Sequence, residues 1–304
     1  MKNNFESKRI LLTGASGWFG QSFISQYVNN YGLESLKNVI LATSDGRTIT
    51  HPIVPFELAT ITFDKACSLN DLDMIVQAGF LTKDKIEIMG LKLYNSGCSE
   101  IIFCLKKIIF NNSKATVIII SSGAVYNDTS SYGYYKKLEE QTAIKSAKKN
   151  VFVFRVFAAT TRYMDYRPWS AICTFIKHKI ALQDIQINSN REIMRGVVCM
   201  EDLSNIILSL PRNTDESSRN FEIYDAVSDV MSIREMAETI SNTKINVIVP
   251  DYYNKHSKDF SYVGDMQNFH KLASKMNIAL KDCSTQLQNA ERTFYLKSFK
   301  DNEI

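Results

Sequence analysis

Three short runs in the first half of the chain are apolar at consecutive positions: residues 10–13 (ILLT), 39–43 (VILAT) and 116–121 (TVIIIS). Strands that are buried on both faces read this way, and parallel sheets are built from such strands. Residues 73–76 (DMIV) and 151–157 (VFVFRVF) extend the series. Between them lie stretches of helical length, residues 18–30, 91–111 and 134–149. Strand alternating with helix implies right-handed crossovers. The fold class predicted is α/β, a doubly wound, Rossmann-like parallel sheet.

Beyond residue 157 the pattern loosens. Residues 162–169 (RYMDYRPW) are aromatic, charged and broken by Pro168, as expected of a ligand-facing loop. A helix is predicted over 171–180, a strand over 184–187, a helix over 201–210 ending before Pro211, and a strand over 221–224. Ser232 with Glu235 three residues on reads as a capping box for a helix over 232–241. The chain thus divides into a sheet-forming domain over residues 1–160, rejoined at about 200–228, and a smaller C-terminal substrate-binding part over 161–304.

Composition narrows the class without naming a partner. A chain of 304 residues with 45% hydrophobic positions can bury a core without metal or disulfide. A net charge of +4 is too small to mark a nucleic-acid or membrane-surface protein, so neither partner is expected. The six cysteines are scattered with no C-x-x-C pair, and read as buried reduced thiols. The four histidines are far apart in sequence, and no metal site is predicted. The charged start carries an apolar run of only three residues (10–12), too short for a signal peptide, and a cytoplasmic protein is expected.

The turn after the first strand reads Thr13-Gly14-Ala15-Ser16-Gly17-Trp18-Phe19-Gly20. Between a strand and a helix, a first glycine allows a tight turn and a second lets the backbone approach a pyrophosphate. A third permits close helix packing, and the helix N-terminus faces the anion. The spacing is G-x-x-G-x-x-G, and its place straight after a strand predicts dinucleotide binding. After the second strand come Ser44, Asp45, Gly46 and Arg47. Asp45 suits the ribose 2′-hydroxyl of NAD, while Ser44 with Arg47 suits the 2′-phosphate of NADP. The balance favours NADP(H) over NAD(H); a solvated turn in which Asp45-Gly46 merely reverses the chain is the competing reading for Arg47.

Tyr132 and Lys136 form the chain's Y-x-x-x-K. On a helix this spacing sets both side chains on one face, and an ammonium beside a phenol would lower the phenol's pKa towards working pH. Such a tyrosine passes a proton to or from a sugar or alcohol oxygen. Ser122 ends the preceding strand, where doubly wound sheets bind ligands, and could bond the same oxygen. Ser121, Ser130 and Ser131 compete for that role, because only ten positions separate Ser122 from Tyr132.

These motifs together resemble the extended short-chain dehydrogenase/reductase family, in particular its nucleotide-sugar epimerases, dehydratases and ketoreductases. TGASGWFG is similar to that family's cofactor turn, SSGAVY to its serine strand and YGYYKKLEE to its tyrosine helix, with Glu140 at the usual acidic place. Arg155 matches the following strand, and Arg195 through Asp202 and Leu203 resembles the family's late arginine–aspartate–leucine motif. The resemblance implies a catalytic trio of Ser122, Tyr132 and Lys136, with Lys136 also touching the nicotinamide ribose. It implies cofactor contacts from Gly14, Ser16, Gly17, Trp18, Phe19, Gly20, Ser44, Asp45, Arg47, Ala78 and Gly79. Arg195, with Ser122 and Tyr132, would hold the substrate, its guanidinium clamping a diphosphate; an ion pair with Asp202 or Glu201 is the plainer reading for Arg195. Gln77 stands where the family more often has histidine. Gly123-Ala124 replaces the Asp-Glu pair of 4,6-dehydratases and the cysteine of the fucose-pathway epimerase–reductases, which argues against both activities.

Two enzymatic readings share this trio: reduction of a 4-keto-6-deoxy sugar nucleotide with Tyr132 as general acid, and 4-epimerisation of a sugar nucleotide through tightly bound NAD. A non-catalytic, cofactor-sensing protein is the reading from another class. A homodimer through the helices over 99–111 and 134–149 is an expectation of the family; the face Ile101, Phe103, Leu105, Ile108 fits packing on the sheet equally well.

Overall fold

The computed structural model describes residues 8–127, 129–167, 169–210, 220–241, 245–260 and 262–300, the last six by their backbone alone. The charged start, Pro168 and Pro211 of the sequence reading lie outside the described residues. The chain forms two compact units, Met1–Arg155 with Ser204–Tyr224, and Val156–Leu203 with Asp225–Ile304.

In chain order the first part runs β1 (Ile10–Thr13), α1 (Trp18–Tyr31), β2 (Val39–Ala42), β3 (Ile49–His51), β4 (Val54–Leu58), α2 (Phe63–Ala66), β5 (Met74–Gln77), α3 (Lys85–Met89), α4 (Leu91–Asn111), β6 (Thr116–Ser122), α5 (Ser131–Ser146) and β7 (Val151–Val156). Then follow β8 (Ala158–Thr160), α6 (Ala171–Ile180), β9 (Ile185–Gln186), β10 (Arg191–Cys199), α7 (Met200–Ser209), β11 (Phe221–Ala226), β12 (Asp229–Ser232), α8 (Ile233–Ile240), β13 (Val247–Ile248), β14 (Asn254–Asp259), α9 (Gln267–Lys275) and α10 (Cys283–Lys300).

The central sheet has the order β11-β7-β6-β5-β1-β2. Its β1 pairs in parallel with β2 and β5, and β5 with β6. The strand order reverses direction beside β1, so the strand ends there open where doubly wound sheets receive ligands. The consecutive apolar runs are buried on both sides as their pattern implied: Leu11, Ile75, Val117, Ile119, Val151 and Val153 share one cluster with Leu105, Ile108 and Ile109 of α4 and Ala143 of α5. Each of the valine, leucine and isoleucine side chains contributes about 1.5–3 kcal/mol by leaving water. Phe103 on the same helix is exposed, so the four-residue face read from the sequence is split between core and solvent.

The sequence reading missed the hairpin β3–β4, in which β3 is only three residues long and β4 is exposed at three consecutive positions, and the nine-residue β10. In the second unit β10 pairs antiparallel with β12 and parallel with β14 and β8. The β14 segment NKHSKD has no apolar residue, and its strand exists through pairing with β10. The helix expected over 134–149 begins at Ser131 and ends at Ser146. Ser130 caps it, its hydroxyl accepting from the Gly133 amide at 3.0 Å, and Ala147 leaves helical geometry at ψ 140°. Ser232 and Glu235 form the expected capping box on α8.

Candidate active site

The glycine turn is built by contact. Gly14 has φ +69°, and a Cβ there would stand 2.7 Å from the Gly79 amide nitrogen; at Gly20 it would stand 2.3 Å from the Gly14 carbonyl oxygen. The turn therefore folds flat against Ala78-Gly79 and carries α1 in close behind it. Thr13 Oγ1 fixes the junction by accepting from the Ala78 and Gly79 amides, both at 3.0 Å. Gly17 is the N-cap of α1; no side chain caps that helix, and its first turn holds no acid. Its leading N–H groups and positive dipole end thus suit a phosphate. Ser16, Trp18 and Phe19 lie in this turn or in the first turn of the helix.

Past β2 the chain reverses at Gly46, with φ +69°. Asp45 organises the turn: its carboxylate accepts from the Arg47 amide at 3.3 Å and from the Thr43 hydroxyl at 3.3 Å, which holds its carboxyl below the usual range. The Arg47 guanidinium stands 3.4 Å from the same carboxylate, and both side chains are exposed.

Around α5 three sequence-predicted residues come together. Ser122 ends β6, and its hydroxyl accepts from the Ala124 amide at 3.2 Å and is hydrogen-bonded to the phenol of Tyr132. Gly133 makes this approach available, because a Cβ there would fall 2.4 Å from the carbonyl oxygens of both Ala124 and Asn127. Ser121 and Ser130 are engaged elsewhere, Ser121 donating to Glu140 at 2.6 Å and Ser130 capping α5. Lys136 stands one turn on from Tyr132, its Nζ donating to the Ile120 carbonyl at 2.9 Å and to the Glu139 carboxylate.

The lysine does not lower the phenol as the spacing suggested. Burial pushes Tyr132 up to about 12, Ser122 pulls it back and the Glu139 carboxylate adds to the rise. The physical reason is that Tyr132 is itself buried, and loss of water around the phenolate is the largest influence on it. Burial likewise pushes the Glu139 carboxyl above its usual range, against the pull of Lys136 and Gln77.

Sequence reasoning gave no role to Glu139 or Phe80 and marked Gln77 only as standing where the family more often has histidine. Gln77 donates to Glu139 at 3.1 Å and to the Gly79 carbonyl at 2.8 Å, while its own carbonyl accepts from Thr13 at 3.0 Å. The Phe80 ring centroid lies 4.6 Å from Lys136 Nζ. A charged residue three positions after a lysine on a helix was the available signal, since i,i+3 neighbours share a face. Glu140, the expected acid, serves a different partner: Arg155 grips it with two bonds, at 3.0 and 2.7 Å, and donates to Tyr126 at 2.9 Å.

Arg195 belongs to the second unit, on β10. Its guanidinium donates to the Met194 carbonyl at 2.9 Å and lies 5.7 Å from the Tyr262 ring. It pairs with neither Asp202, which takes Lys281, nor Glu201, which accepts from Thr161 at 2.8 Å and from the Arg162 amide at 3.0 Å. Of the six cysteines, five are buried, Cys67 is half-buried, and all are free thiols. Among the described residues no cluster of metal-ligating side chains occurs and no helix is long and apolar enough to cross a membrane.

No protein-family model matches the chain. It is 22% identical over 299 residues to a UDP-glucose 4-epimerase of Rickettsia bellii, covering 88% of this chain and 83% of that relative. Among solved structures it resembles a UDP-N-acetylglucosamine 4-epimerase from Methanobrevibacter ruminantium, with a TM-score of 0.72, 17% identity, and coverage of 95% of this chain and 99% of the other. It also resembles a dTDP-glucose 4,6-dehydratase from Streptomyces venezuelae solved with NAD bound, with a TM-score of 0.67, 15% identity, and coverage of 94% and 97%. This chain shares the Rossmann-like α/β fold of these solved structures.

Proposed function

We propose that this chain is a nicotinamide-dinucleotide-dependent enzyme of sugar nucleotides that reduces a keto sugar, with Tyr132 as the general acid. The observation that carries the reading is the hydrogen bond between Ser122 and Tyr132, with Lys136 one turn along α5. The open N-terminus of α1 and the flat Gly14–Gly20 turn fit a dinucleotide's pyrophosphate. When bound, the nicotinamide supplies the hydride.

The chain's own residues manage the oxygen. Ser122 orients the sugar carbonyl, and the Tyr132 phenol gives its proton to that oxygen as the carbonyl carbon accepts hydride. The phenol is protonated at neutral pH, because burial holds its pKa near 12, so it is ready to donate. The phenolate left behind is stabilised by the Ser122 hydroxyl and regains a proton from solvent. Arg195 is proposed to hold substrate phosphate, for which a planar two-pronged donor is suited.

A second reading, 4-epimerisation with retained NAD, is favoured by the likeness to the Rickettsia and Methanobrevibacter 4-epimerases. In it Tyr132 takes a proton before returning one. Asp45 at the end of β2 suits the NAD ribose, whereas Arg47 suits NADP. One assay separates the two readings: UDP- and dTDP-hexoses and their 4-keto derivatives are each offered with NADPH or NADH. Stoichiometric oxidation of the reduced cofactor supports the reductase. An interconverted sugar with no net cofactor change, together with NAD recovered from the purified protein, overturns it in favour of the epimerase.

A further inference from the structure

Lys136 is not poised in open solvent. Both it and Glu139 are buried, with side chains 3% and 0% exposed, and they form an ion pair three residues apart on α5. Two of the three ammonium N–H donors go to the Ile120 carbonyl and to Glu139, and the Phe80 ring lies against the same group. Behind the carboxylate stands Gln77, and behind Gln77 stands Thr13, whose hydroxyl also takes the amides of Ala78 and Gly79. One line of hydrogen bonds therefore joins the end of β1, where the glycine turn begins, to the end of β5, to Glu139 and Lys136 on α5, and to β6.

We propose that Glu139 is a positioning residue: held by Gln77, its carboxylate fixes the Lys136 ammonium between β6 and Phe80 and offsets the positive charge that this ammonium presents to the Tyr132 phenol. The proposal deepens the proton-transfer reading of Tyr132 and rests on it. A buried ammonium alone would favour the phenolate; with a carboxylate beside it the field is balanced and the phenol keeps its proton. The groups that face this cluster are few. From α5 they are Lys136, Glu139 and Glu140, the last drawn away by Arg155. Cys98 and Tyr94 face it from α4, Asp84 from the start of α3, and Ser122 and Gln77 from the strand ends. The thiol and phenol from α4 are held neutral by burial, and neither can replace Glu139 as counterion.

The test reads the phenol directly, without substrate. Protein carrying carbon-13 at the tyrosine ring carbon that bears oxygen is titrated by NMR, and the Tyr132 resonance is assigned by its absence in Tyr132→Phe. In Glu139→Gln the Tyr132 titration is expected to move down by about one pH unit, because a like charge has gone while Lys136 remains. A Glu139→Gln protein with the native circular dichroism and an unmoved Tyr132 titration overturns the proposal. Should Glu139→Gln fail to fold, the double variant Lys136→Met with Glu139→Leu decides, since apolar replacement of both buried charges is well tolerated. Its Tyr132 titration is expected within a few tenths of a unit of native, as the two charges cancel. A rise of about one unit, as from loss of the ammonium alone, overturns the proposal. Absence of turnover with every sugar nucleotide, alongside the expected shift, would contradict the proposed activity and leave the role of Glu139 standing.

Discussion

Arg155 on β7 grips Glu140 on α5 through two parallel hydrogen bonds of 3.0 and 2.7 Å, while the adjacent Glu139 takes Lys136. Neighbouring carboxylates on one helix thus have separate cations, one pair tying α5 to the sheet and the other set beside Tyr132. The first pair predicts a stability effect. Glu140 is nearly buried, so Arg155→Met leaves a carboxylate with Ser121 as its remaining side-chain donor. Loss of one partner of such a pair costs about 3–5 kcal/mol. Chemical denaturation is expected to show that loss, with turnover per folded molecule much less affected.

Gly133 governs the distance between Tyr132 and Ser122. A methyl group at this position meets two carbonyl oxygens at 2.4 Å, and neither belongs to a flexible side chain. Gly133→Ala is expected to push α5 off the Gly123–Tyr126 turn, destabilise the protein by about 1–3 kcal/mol and lower kcat more than it raises KM. Steady-state kinetics and thermal unfolding of the same sample check both effects.

The pH dependence follows from the state of the phenol. Reduction needs the protonated form, which persists up to the value near 12 set by burial. The rate of reduction is therefore expected to stay level from neutral into mildly alkaline solution. Oxidation of the product alcohol needs the phenolate, whose fraction grows about tenfold for each pH unit below the pKa. Initial rates measured in both directions across that range show whether the limbs fall on the expected sides.

At the end of β2 the exposed Arg47–Asp45 pair contributes little, as surface ion pairs do, and leaves the guanidinium available. If it meets a 2′-phosphate, Arg47→Ala is expected to raise the Kd of NADPH by about tenfold, the scale of one charge-assisted hydrogen bond, with NADH unaffected. Equal effects on both cofactors would show that Arg47 has no part in choosing between them. Fluorescence titration of each reduced cofactor measures this.

Much of this was legible in the chain. Consecutive apolar residues announced β1, β2, β6 and β7, because strands buried on both faces admit no polar alternation, and Leu91–Asn111 was read to its bounds. The glycine turn was legible since its backbone conformation excludes side chains at Gly14. What escaped was set by tertiary contact. β14 is a polar segment made a strand by β10, and α5 begins three residues early because Ser130 caps it. Neither the burial of Tyr132, which sets its high phenol pKa, nor the pairing of Lys136 with Glu139 could be read from the Tyr132–Lys136 spacing. That spacing gives a shared face but neither the burial nor the partner beyond it.

The most direct test of the account compares native protein with Tyr132→Phe, each offered keto sugar nucleotides and reduced cofactor. The variant keeps the ring and loses the proton. The account predicts that it folds normally, binds the dinucleotide with native affinity, and loses turnover by about 10²–10⁴-fold, the usual size of a general-acid contribution. Turnover equal to native in a folded Tyr132→Phe protein would contradict the assignment of proton transfer to this residue.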